Sequence, residues 1–392
     1  MRATRIDSYR SYVLSKILIT GGAGFIGSHL SRILLTSGHS VRILDNLSPQ
    51  IHGALPQGLD WLMGDGVDFI RGSITDEAYV RTALQDVDSV VHLAAETGTG
   101  QSMYQIAHYN NVNVGGTALL LDILANDSAR SVKRIVLASS RSIYGEGAYV
   151  CSRCDKQKRI YPNARIKSQL SAHRWEHACE ACSSHLKPVP TREDDPAKPA
   201  SIYAATKYAQ EDLVRVACAA MDMDYTILRL QNVYGEGQSL NNPYTGILSI
   251  FSTRIRRKQH LPIFEDGLET RDFVHVQDVA NAFLAAVEFQ GNISQAINVG
   301  MGVKTTVAEI AGHLSDAFGV QHNLVTTHEY RLGDIRHNFA DTHRLQCILG
   351  NTPQIDLNEG MLRFAEWVTK QVLSEDQLDK ANAQLRTRNL MG

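Results

Sequence analysis

A glycine-rich loop between a short apolar strand and an amphipathic helix constrains this chain more than any other feature. Lys16–Thr20 is a largely apolar run typical of a buried parallel strand, and Gly21, Gly24 and Gly27 follow it at three-residue intervals before a helical pattern begins. Glycines in such a turn let the backbone approach a pyrophosphate, which then lies at the positive end of the helix. The pattern predicts a dinucleotide site, and a glycine turn that serves no ligand is the alternative.

The second predicted strand ends in an acid that distinguishes between two dinucleotides. Ser40–Asp45 is mostly apolar, and Asp45 follows Gly27 by eighteen residues. A carboxylate at this position accepts hydrogen bonds from the adenosine ribose and repels a 2′-phosphate. We therefore expect NAD, and not NADP, as the cofactor.

Strand-like and helix-like segments alternate up to about Gly235. This alternation indicates an α/β fold of the Rossmann type, a doubly wound parallel sheet with right-handed crossovers. The further predicted strands are Val67–Arg71, Asp88–Leu93, Lys133–Ser139 and Tyr225–Leu230, and the helices between them are Glu77–Leu84, Asn113–Ala125 and Tyr203–Met221.

The predicted domain organisation follows from where the alternation stops. Residues 16–235 are expected to form an NAD-binding Rossmann domain that carries a cysteine-rich, zinc-knuckle-like insert at 146–195. Residues 236–374 are richer in loops and predict a smaller C-terminal substrate lobe, with segments that return to the Rossmann domain. The tail, 375–392, is polar and is expected to be a surface helix or to fray.

Composition and charge exclude several classes of function. The chain has 392 residues, 43% of them hydrophobic, enough for one large core and a smaller lobe. A net charge of −2 does not suit a nucleic-acid partner, and no apolar run reaches the roughly 18 residues of a membrane span. Because no secretion signal is evident, we expect a cytoplasmic protein whose six cysteines stay reduced or bind metal.

Two distant segments carry residues able to remove a proton from an alcohol. Tyr203 and Lys207 are four residues apart in a predicted helix, so they share one face. A free phenol titrates near pH 10, and the Lys207 charge together with a positive nicotinamide ring would lower that pKa. Ser139 and Ser140 end the preceding predicted strand. A solvated helix face is the alternative reading of Tyr203 and Lys207.

Four cysteines between those segments have the spacing of a zinc knuckle. Cys151-x2-Cys154 and Cys179-x2-Cys182 are separated by 24 residues, which suits tetrahedral thiolate ligation of zinc. Four thiolates leave no open position for water, so this zinc would be structural. Disulfides and four unrelated thiols are the alternatives.

The insert leaves further questions open at the level of sequence. His173, His177 or His185 could replace one cysteine as a ligand, although solvated histidines of a polar insert are favoured. Cys218 and Cys347 have apolar neighbours and are expected in the core. The insert separates two catalytic segments, so it would either wall the sugar pocket or meet a partner subunit.

Seven short motifs together resemble one protein family. By these motifs the chain, from about Lys16 to Leu373, is similar to the extended short-chain dehydrogenase/reductase family of nucleotide-sugar epimerases and dehydratases. The resemblance implies a reaction that begins with hydride transfer from a sugar carbon to NAD. The motifs are Gly21-x2-Gly24-x2-Gly27, His92-Leu-Ala-Ala95, Asn113-Val-Gly-Gly-Thr117, Ser139-Ser140-x3-Tyr144-Gly145, Tyr203-x3-Lys207, Arg229-Leu-x-Asn232-Val-Tyr-Gly235 and Arg271-Asp-Phe-Val-His275.

The resemblance also implies roles for individual residues. Tyr203 would be the base, Lys207 its electrostatic partner and ribose anchor, and Ser140 the hydrogen-bond partner of the reacting hydroxyl. Asn232, Arg271 and Arg331 would hold the nucleotide diphosphate, although for Arg271 a surface salt bridge with Asp272 is the alternative. The residues expected at the cofactor are Gly21, Gly24, Phe25, Ile26, Gly27, Asp45, Asn46, Ser73, Ile74, Leu93, Ala94, Ala95, Asn113, Tyr203 and Lys207. Those expected at the substrate are Thr97, Gly98, Ser102, Ser140, Arg141, Asn232, Arg271 and Arg331.

The residues after Ser140 indicate which reaction follows the hydride transfer. Family dehydratases carry an Asp-Glu pair there, whereas this chain has Arg141 and Ser142. Neither can act as a carboxylate acid or base, so 4-epimerisation through a transient 4-keto sugar is favoured. The alternatives are a 4-ketoreductase or a 4,6-dehydratase of the same scaffold, and a non-catalytic NAD-binding redox sensor.

Further segments narrow the resemblance. The run His92–Met103, Arg141, the paired cysteines and Gly333–His337 resemble bacterial 4-epimerases of dTDP-linked deoxysugars. That likeness implies dTDP-L-rhamnose and dTDP-6-deoxy-L-talose as the substrate pair and a homodimer as the assembly. The loop Thr97–Ser102 is expected to line the sugar pocket.

Overall fold

The strands expected from the apolar runs form, and shorter strands join them in the insert and in the second half of the chain. The computed structural model describes residues 14–53, 59–240, 246–373 and 375–392. Within them the strands are β1 (Lys16–Thr20), β2 (Ser40–Asp45), β3 (Val67–Arg71), β4 (Ser89–His92), β5 (Arg134–Ser140), β6 (Ala148–Cys151), β7 (Asp155–Ile160), β8 (Lys187–Val189), β9 (Asp224–Leu230), β10 (Asn232–Tyr234), β11 (Leu261–Ile263), β12 (Thr270–Arg271), β13 (Phe273–His275), β14 (Gln295–Val299), β15 (Thr305–Thr306) and β16 (Leu324–Thr326).

Seven of these strands form one parallel sheet in the order β3-β2-β1-β4-β5-β9-β14. In its centre Ile19 of β1 lies opposite Ile43 of β2 on one side and Val91 of β4 on the other. The order reverses between β1 and β4, and open α/β sheets bind their ligands at the carboxyl ends of strands that flank such a point. The prediction of a Rossmann-type parallel sheet is confirmed. β14 lies in this sheet although its residues fall in the predicted substrate lobe.

Helices cover both faces of the sheet and build the second lobe. A π-helical turn at Asn110–Gly115 precedes α6, and a 3₁₀ turn at Arg141–Tyr144 follows β5 directly. The helices are α1 (Phe25–Thr36), α2 (Pro49–His52), α3 (Glu77–Ala83), α4 (Thr99–Ser102), α5 (Ile106–Tyr109), α6 (Gly116–Asn126), α7 (Lys167–Ser171), α8 (Ile202–Ala220), α9 (Ile247–Arg256), α10 (Val276–Glu288), α11 (Val307–Ala317), α12 (His343–Leu349), α13 (Leu357–Thr369) and α14 (Leu378–Arg386).

The two faces of the sheet bury separate apolar clusters because strand side chains alternate between faces. Ile17 and Ile19 face α1 and α10, whereas Leu18 faces α3, α6 and α8. Cys218 is fully buried in the second cluster, as expected. The other isolated cysteine, Cys347, is exposed on the short helix α12, so the prediction that it lies in the core is wrong.

A third apolar cluster lies in the second lobe, where α9, α11 and α13 pack together around Leu248, Ile310 and Phe364. Short strand pairs, β10 with β13 and β12 with β15, connect this lobe to the carboxyl edge of the main sheet. The lobe therefore places the segments after β9 and around β12 beside the end of β5.

The insert and the tail are both ordered parts of this arrangement. β6, β7 and β8 form a separate antiparallel sheet in the order β7-β6-β8. In the tail, α14 buries Leu378, Ala381 and Leu385, so the expected helix forms but is packed and does not fray. Across the described residues, no helix combines the length and the apolar character that a membrane crossing requires.

Candidate active site

The glycine loop packs against the segment after β4 and against Asp45. Gly21 has a φ of 70°, and a Cβ on it would lie 2.8 Å from the backbone nitrogen of Ala94, so a side chain does not fit. The Asp45 carboxylate accepts hydrogen bonds from the backbone amides of Ala23 (3.1 Å) and Leu47 (2.8 Å). Asp45 thus fixes the loop as well as facing the predicted ribose position.

The start of α1 is suited to an anionic ligand. Its N-terminal residue follows Gly24, and within the described part of the chain no side chain caps the helix. Free amides at a helix N-terminus bind phosphate groups. The residues present therefore fit a dinucleotide, with Phe25, Ile26, Leu93, Ala94 and Ala95 partly exposed along the same edge. Asn46 is exposed after β2, and Ser73 and Ile74 follow β3 at the adjacent strand end.

Ser140, Tyr203 and Lys207 meet where β5 ends and α8 begins. α8 starts here because Ser201 caps it, with its hydroxyl accepting from the Ala204 amide at 3.2 Å. The Ser140 hydroxyl lies close enough to the Tyr203 phenol to lower its pKa. Lys207 is 3% exposed, and its Nζ donates to the Ala138 carbonyl at 2.9 Å. A buried lysine held by a strand carbonyl contradicts the alternative of a solvated helix face.

The ionisation of Tyr203 differs from the sequence-based expectation. Burial raises the pKa of Tyr203, while the Ser140 hydrogen bond and the Arg141 charge act in the opposite direction. Burial also lowers the pKa of Lys207 to about 8. Lys207 was expected to be the residue whose charge lowers the pKa of the phenol, but in this structure that residue is Arg141. The reason is that the Lys207 ammonium is directed to the Ala138 carbonyl.

Three residues expected to bind the nucleotide sugar lie next to the phenol. Arg141 begins the 3₁₀ turn after β5, and its Nε donates to Oδ1 of Asn232 at 2.8 Å. Burial, and then the neighbouring Arg271 charge, lower the pKa of Arg141 to about 9. Two guanidinium groups held close together in a partly buried site favour a bound anion such as a diphosphate.

Arg271 is positioned by backbone carbonyls and not by its neighbour in the sequence. Its guanidinium donates to the carbonyls of Ile335 (2.7 Å) and Arg336 (3.0 Å). Asp272 is buried and accepts hydrogen bonds from the amides of Met301 (2.8 Å) and Ala340 (3.1 Å). The alternative of a surface salt bridge between Arg271 and Asp272 is therefore wrong.

Two of the predicted contact residues have other tasks. Asn113 is fully buried, and its side chain binds the Glu96 backbone and the Thr206 hydroxyl. Ser102 is also fully buried, accepting from the Tyr203 amide at 3.0 Å and donating to the Thr99 carbonyl. Both side chains hold the loop after β4 against α8, and the contacts of Asn113 with the cofactor and of Ser102 with the sugar stay predictions.

The remaining predicted substrate residues lie on the same loop and on the second lobe. Thr97 is partly exposed and its carbonyl accepts from the Tyr109 hydroxyl, while Gly98 is buried beside it. Arg331 lies across the site, where one of its Nη atoms donates to Oδ1 of Asn382 at 2.7 Å and its guanidinium lies 4.7 Å from the centre of the Phe264 ring. The tail helix α14 therefore contacts a residue expected at the diphosphate.

Two buried residues near the reacting groups were not singled out from the sequence. Glu211 accepts from the Ser139 hydroxyl and from the guanidinium of Arg229, which fixes the end of β5. His92 lies between the hydroxyls of Thr20 (2.6 Å) and Thr117 (2.8 Å), and burial lowers its pKa to about 3. The spacing Tyr203, Lys207, Glu211 continues one helix face and could have identified Glu211.

The four insert cysteines converge on one point. Their sulfur atoms all lie within 4.8 Å of one another, with Sγ–Sγ distances of 3.5 Å for Cys151–Cys182 and 3.8 Å for Cys154–Cys179. Metal–sulfur bonds of about 2.3 Å in a tetrahedron give sulfur–sulfur edges of about 3.8 Å, so the donor set fits zinc. A disulfide needs an S–S distance of about 2 Å, and all six cysteines, each within the described residues, are unpaired.

The insert packs against the segment that carries Arg331 and leads to Arg336. Arg165 and Glu265 form a bidentate ion pair with N–O distances of 2.7 and 2.8 Å, and Arg336 pairs with Glu176 at 2.6 Å. Both arginines are buried, so the insert and the second lobe share one charged network.

Of the insert histidines, His177 was expected to be solvated, and that prediction is wrong. It is buried against the Tyr149 ring and lies 3.2 Å from Glu146. Because of this contact, His177 is part of the charged network and does not replace a cysteine as a metal ligand.

Comparison with known proteins agrees with this geometry. Residues 17–300 match the model of the NAD dependent epimerase/dehydratase family. The chain is 36% identical over 361 residues to the dTDP-L-rhamnose 4-epimerase of Burkholderia thailandensis, covering 91% of this chain and 96% of that protein. It is 30% identical over 353 residues to a putative UDP-glucose 4-epimerase of Methanocaldococcus jannaschii, covering 90% of this chain and 98% of that protein.

Solved structures extend the likeness to proteins with bound ligands. The UDP-glucuronic acid 4-epimerase of Bacillus cereus, in complex with UDP-glucuronic acid and NAD, superposes with a TM-score of 0.74 at 25% identity, over 91% of this chain and 99% of that one. The UDP-glucose 4-epimerase of Thermotoga maritima with UDP-glucose gives a TM-score of 0.72 at 28% identity, with the same two coverages. The chain belongs to the NAD dependent epimerase/dehydratase family. It is an enzyme, and it is an isomerase like these epimerases.

Proposed function

We propose that this protein is an NAD-dependent nucleotide-sugar 4-epimerase that interconverts dTDP-L-rhamnose and dTDP-6-deoxy-L-talose. The observation that carries the proposal is the meeting of Ser140, Tyr203 and Lys207 beside the glycine loop, with Arg141 in contact with Asn232 next to them. The likeness to the Burkholderia protein named dTDP-L-rhamnose 4-epimerase supports the choice of sugar.

Each of the three residues has a separate task in this proposal. Bound NAD would supply the acceptor for a hydride from C4 of the sugar. The Tyr203 phenolate would take up the proton of the C4 hydroxyl and become a phenol, with Ser140 as the hydrogen-bond partner of that hydroxyl. Lys207, held at the Ala138 carbonyl, would anchor the nicotinamide ribose, while Arg141 and a positive nicotinamide ring would stabilise the phenolate before it takes up the proton. Return of the hydride to the opposite face of the 4-keto sugar then inverts C4.

The nucleotide must stay in place while the sugar turns over between the two hydride transfers. Arg271 lies close enough to Arg141 for its charge to lower the pKa of Arg141, and Asn232 fixes Arg141. A diphosphate held by this pair would anchor the substrate through the turn. Dehydration is not supported, because Arg141 and Ser142 occupy the positions of the dehydratase carboxylates and carry no acid or base suited to eliminate water.

We also propose that the four converging cysteines hold one structural zinc ion. The fit of their spacing to a tetrahedral thiolate site supports this, and so does the amide of Cys154, which donates to Sγ of Cys151 at 3.4 Å. The proposed assembly is a homodimer, which the family resemblance supports.

The reaction can be tested by incubating the purified protein with dTDP-L-rhamnose, UDP-glucose and a GDP-sugar in D2O without added reductant. NMR of the products should show inversion at C4 of the dTDP sugar with no deuterium gained at C4 or C5, because the hydride is returned and C5 is never deprotonated. A 4-keto-6-deoxy product with deuterium at C5 would identify a dehydratase. Turnover that requires added NADH would identify a reductase.

A further inference from the structure

The C-terminal tail connects two segments of the candidate active site. On one side the Tyr104 hydroxyl donates to Oε1 of Gln384 at 2.9 Å. On the other side Tyr330 and Gly392 exchange two backbone hydrogen bonds of 2.8 and 3.1 Å, and the Leu332 amide donates to the Leu390 carbonyl at 2.9 Å. The tail thus joins the loop after β4 to the segment that carries Arg331.

A cavity lies between these three pieces of chain, and four of its eight lining residues have apolar side chains. These four are Met103, Leu332, Leu385 and Leu390, and Arg331 and Asp334 are among the polar lining residues. Leu385 is 3% exposed, and both of its terminal methyl groups lie 3.5 Å from the position that a Cβ on Gly100 would take. The helix therefore directs Leu385 at the loop expected to contact the sugar.

Two segments that line the cavity are linked to the groups expected to react. Ser102, the last residue of α4, accepts from the Tyr203 amide, which holds this loop to the start of α8. Asp334, a cavity residue, lies close enough to Arg141 for its charge to raise the pKa of that guanidinium against the effect of burial. A sugar bound with its C4 hydroxyl at Tyr203 would therefore have its neighbouring ring positions near the cavity.

We propose that the tail supplies the apolar wall of the sugar pocket, and that Leu385 and Leu390 select a sugar with a methyl group on C5 in place of a hydroxymethyl group. This rests on the proposed function. A methyl group loses no hydrogen bond when it leaves water for this wall, whereas a hydroxyl group placed against the four apolar side chains loses its partners. Apolar pockets reject a ligand that adds one hydroxyl by up to about 10²-fold, which sets the scale of the expected selectivity.

The test compares two ligands that differ by one oxygen atom, dTDP-L-rhamnose and dTDP-L-mannose, on the NAD-loaded full-length protein. The variant is Leu385→Asn, which keeps the branched shape and adds polar atoms. The control is Leu378→Asn, since Leu378 is equally buried on α14 but does not line the cavity. Calorimetry gives the two dissociation constants, and product NMR gives turnover separately.

We expect the wild-type protein to bind the 6-deoxy ligand at least tenfold more tightly than its 6-hydroxy counterpart. Leu385→Asn should reduce this ratio by about tenfold, and Leu378→Asn should leave the ratio unchanged even if it weakens both ligands. An unchanged ratio in a folded Leu385→Asn protein, or an equal change in both variants, overturns the wall. If the protein shows no turnover but the ratio of the two dissociation constants still depends on Leu385, the epimerase proposal is overturned and the proposed apolar wall is supported. If neither ligand binds, both the epimerase proposal and the proposed apolar wall are overturned.

Discussion

The ends and the middle of the stretch from Ser139 to Lys207 are held in place by different interactions. At the ends, Ser140 and Lys207 lie on β5 and α8, and apolar clusters on the two faces of the main sheet fix those elements. In the middle, the insert strands pair with one another, and buried ion pairs such as Arg165–Glu265 join the insert to the second lobe. The groups expected to react thus lie in a mainly apolar frame, which also holds the Arg229–Glu211 pair, and the insert lies in a more highly charged one.

Because of this difference, the residues expected to react and the insert that supports the substrate segment should respond to different perturbations. Apolar packing tolerates changes of metal content and pH, whereas buried charges and thiolates depend on partners that can be removed one at a time. The two regions are connected through the segment after Arg331, because Arg165 also donates to the Asp334 carbonyl at 3.1 Å. Damage to the insert should therefore reach the site as weaker substrate binding and not as failure of proton transfer.

The largest expected effect is at the end of the stretch that carries the base. Tyr203→Phe removes the phenolic oxygen, and loss of a general base lowers rates by about 10²- to 10⁴-fold. We expect kcat to fall by that amount while bound NAD, measured by absorbance after denaturation, stays at the wild-type level. Tyr208→Phe is the matched control, because Tyr208 lies on the same helix and is 36% exposed. Equal activity of Tyr203→Phe and wild type would remove Tyr203 from the chemistry.

The proposed zinc site gives the next largest expected effect, and this effect should fall on the insert. Cys151→Ser removes one of four ligands, so zinc measured by plasma mass spectrometry should drop from about one atom per chain to near zero. The insert should then be cut rapidly by protease, because metal binding contributes to folding. Activity of the surviving protein should change in KM more than in kcat. Cys347→Ser, at an exposed thiol away from the cluster, should leave zinc unchanged.

The comparison also explains what the sequence could and could not predict. Local apolar runs were sufficient for β1 and β2, whose bounds agree with the prediction, because buried parallel strands have short and largely apolar patterns. The spacing of Tyr203 and Lys207 placed both on one face of α8. Which partner each side chain finds depends on contacts far away in the sequence, and Asn113 and Ser102 are used inside the protein for that reason.

The tail shows the same limit more clearly. Within the polar sequence 375–392, Leu385 is buried because Gly100 and the backbone at Leu332 come close to it in space. No local sequence pattern indicates that these residues will be neighbours of Leu385. The prediction that Cys347 lies in the core is wrong for the opposite reason. Helix α12 is only 7 residues long and buries one face around Leu345, and Cys347 is not on that face.

The charged frame of the insert can be tested by removing one partner of its network. Arg165→Leu leaves Glu265 buried without its bidentate partner, and breaking a buried pair this way lowers the free energy of unfolding by about 3–5 kcal/mol. Denaturant unfolding measures this loss. We also expect a higher KM for the nucleotide sugar with unchanged NAD content, because the support of Asp334 is lost.

Two further variants decide how that result is read. Arg165→Leu combined with Glu265→Leu should recover part of the lost stability, since Glu265 is no longer buried without Arg165, while Glu146 still loses its contact with Arg165. Arg81→Ala, which breaks the exposed pair with Glu77 on α3, should have little effect. If Arg165→Leu behaves like Arg81→Ala, the charged network does not hold the insert, and the contrast between the two regions fails.

The smallest effect concerns Lys207, a charged group buried in the apolar frame. Burial lowers the pKa of Lys207 to about 8, so the amine is charged below that pH and neutral above it. Activity that depends on this charge is present below pH 8 and is lost as the pH rises. Stability changes in the opposite sense: the unfolded chain holds the proton more tightly, so Lys207 opposes folding below pH 8, and this opposition fades as the pH rises toward the ordinary lysine value.

Lys207→Arg makes that dependence measurable in the pH profile of kcat/KM. Arginine stays charged throughout the accessible range, so the variant should lose the alkaline decline near pH 8 even if its overall rate is lower. The expected difference between the two normalised profiles at pH 9 is about tenfold, which is one pH unit beyond the pKa. Lys370→Arg, at an exposed ion pair on the second lobe, should keep the wild-type profile. An identical alkaline decline in wild type and Lys207→Arg would assign that titration to another group and leave Lys207 as a residue that only holds α8 to β5 through the Ala138 carbonyl.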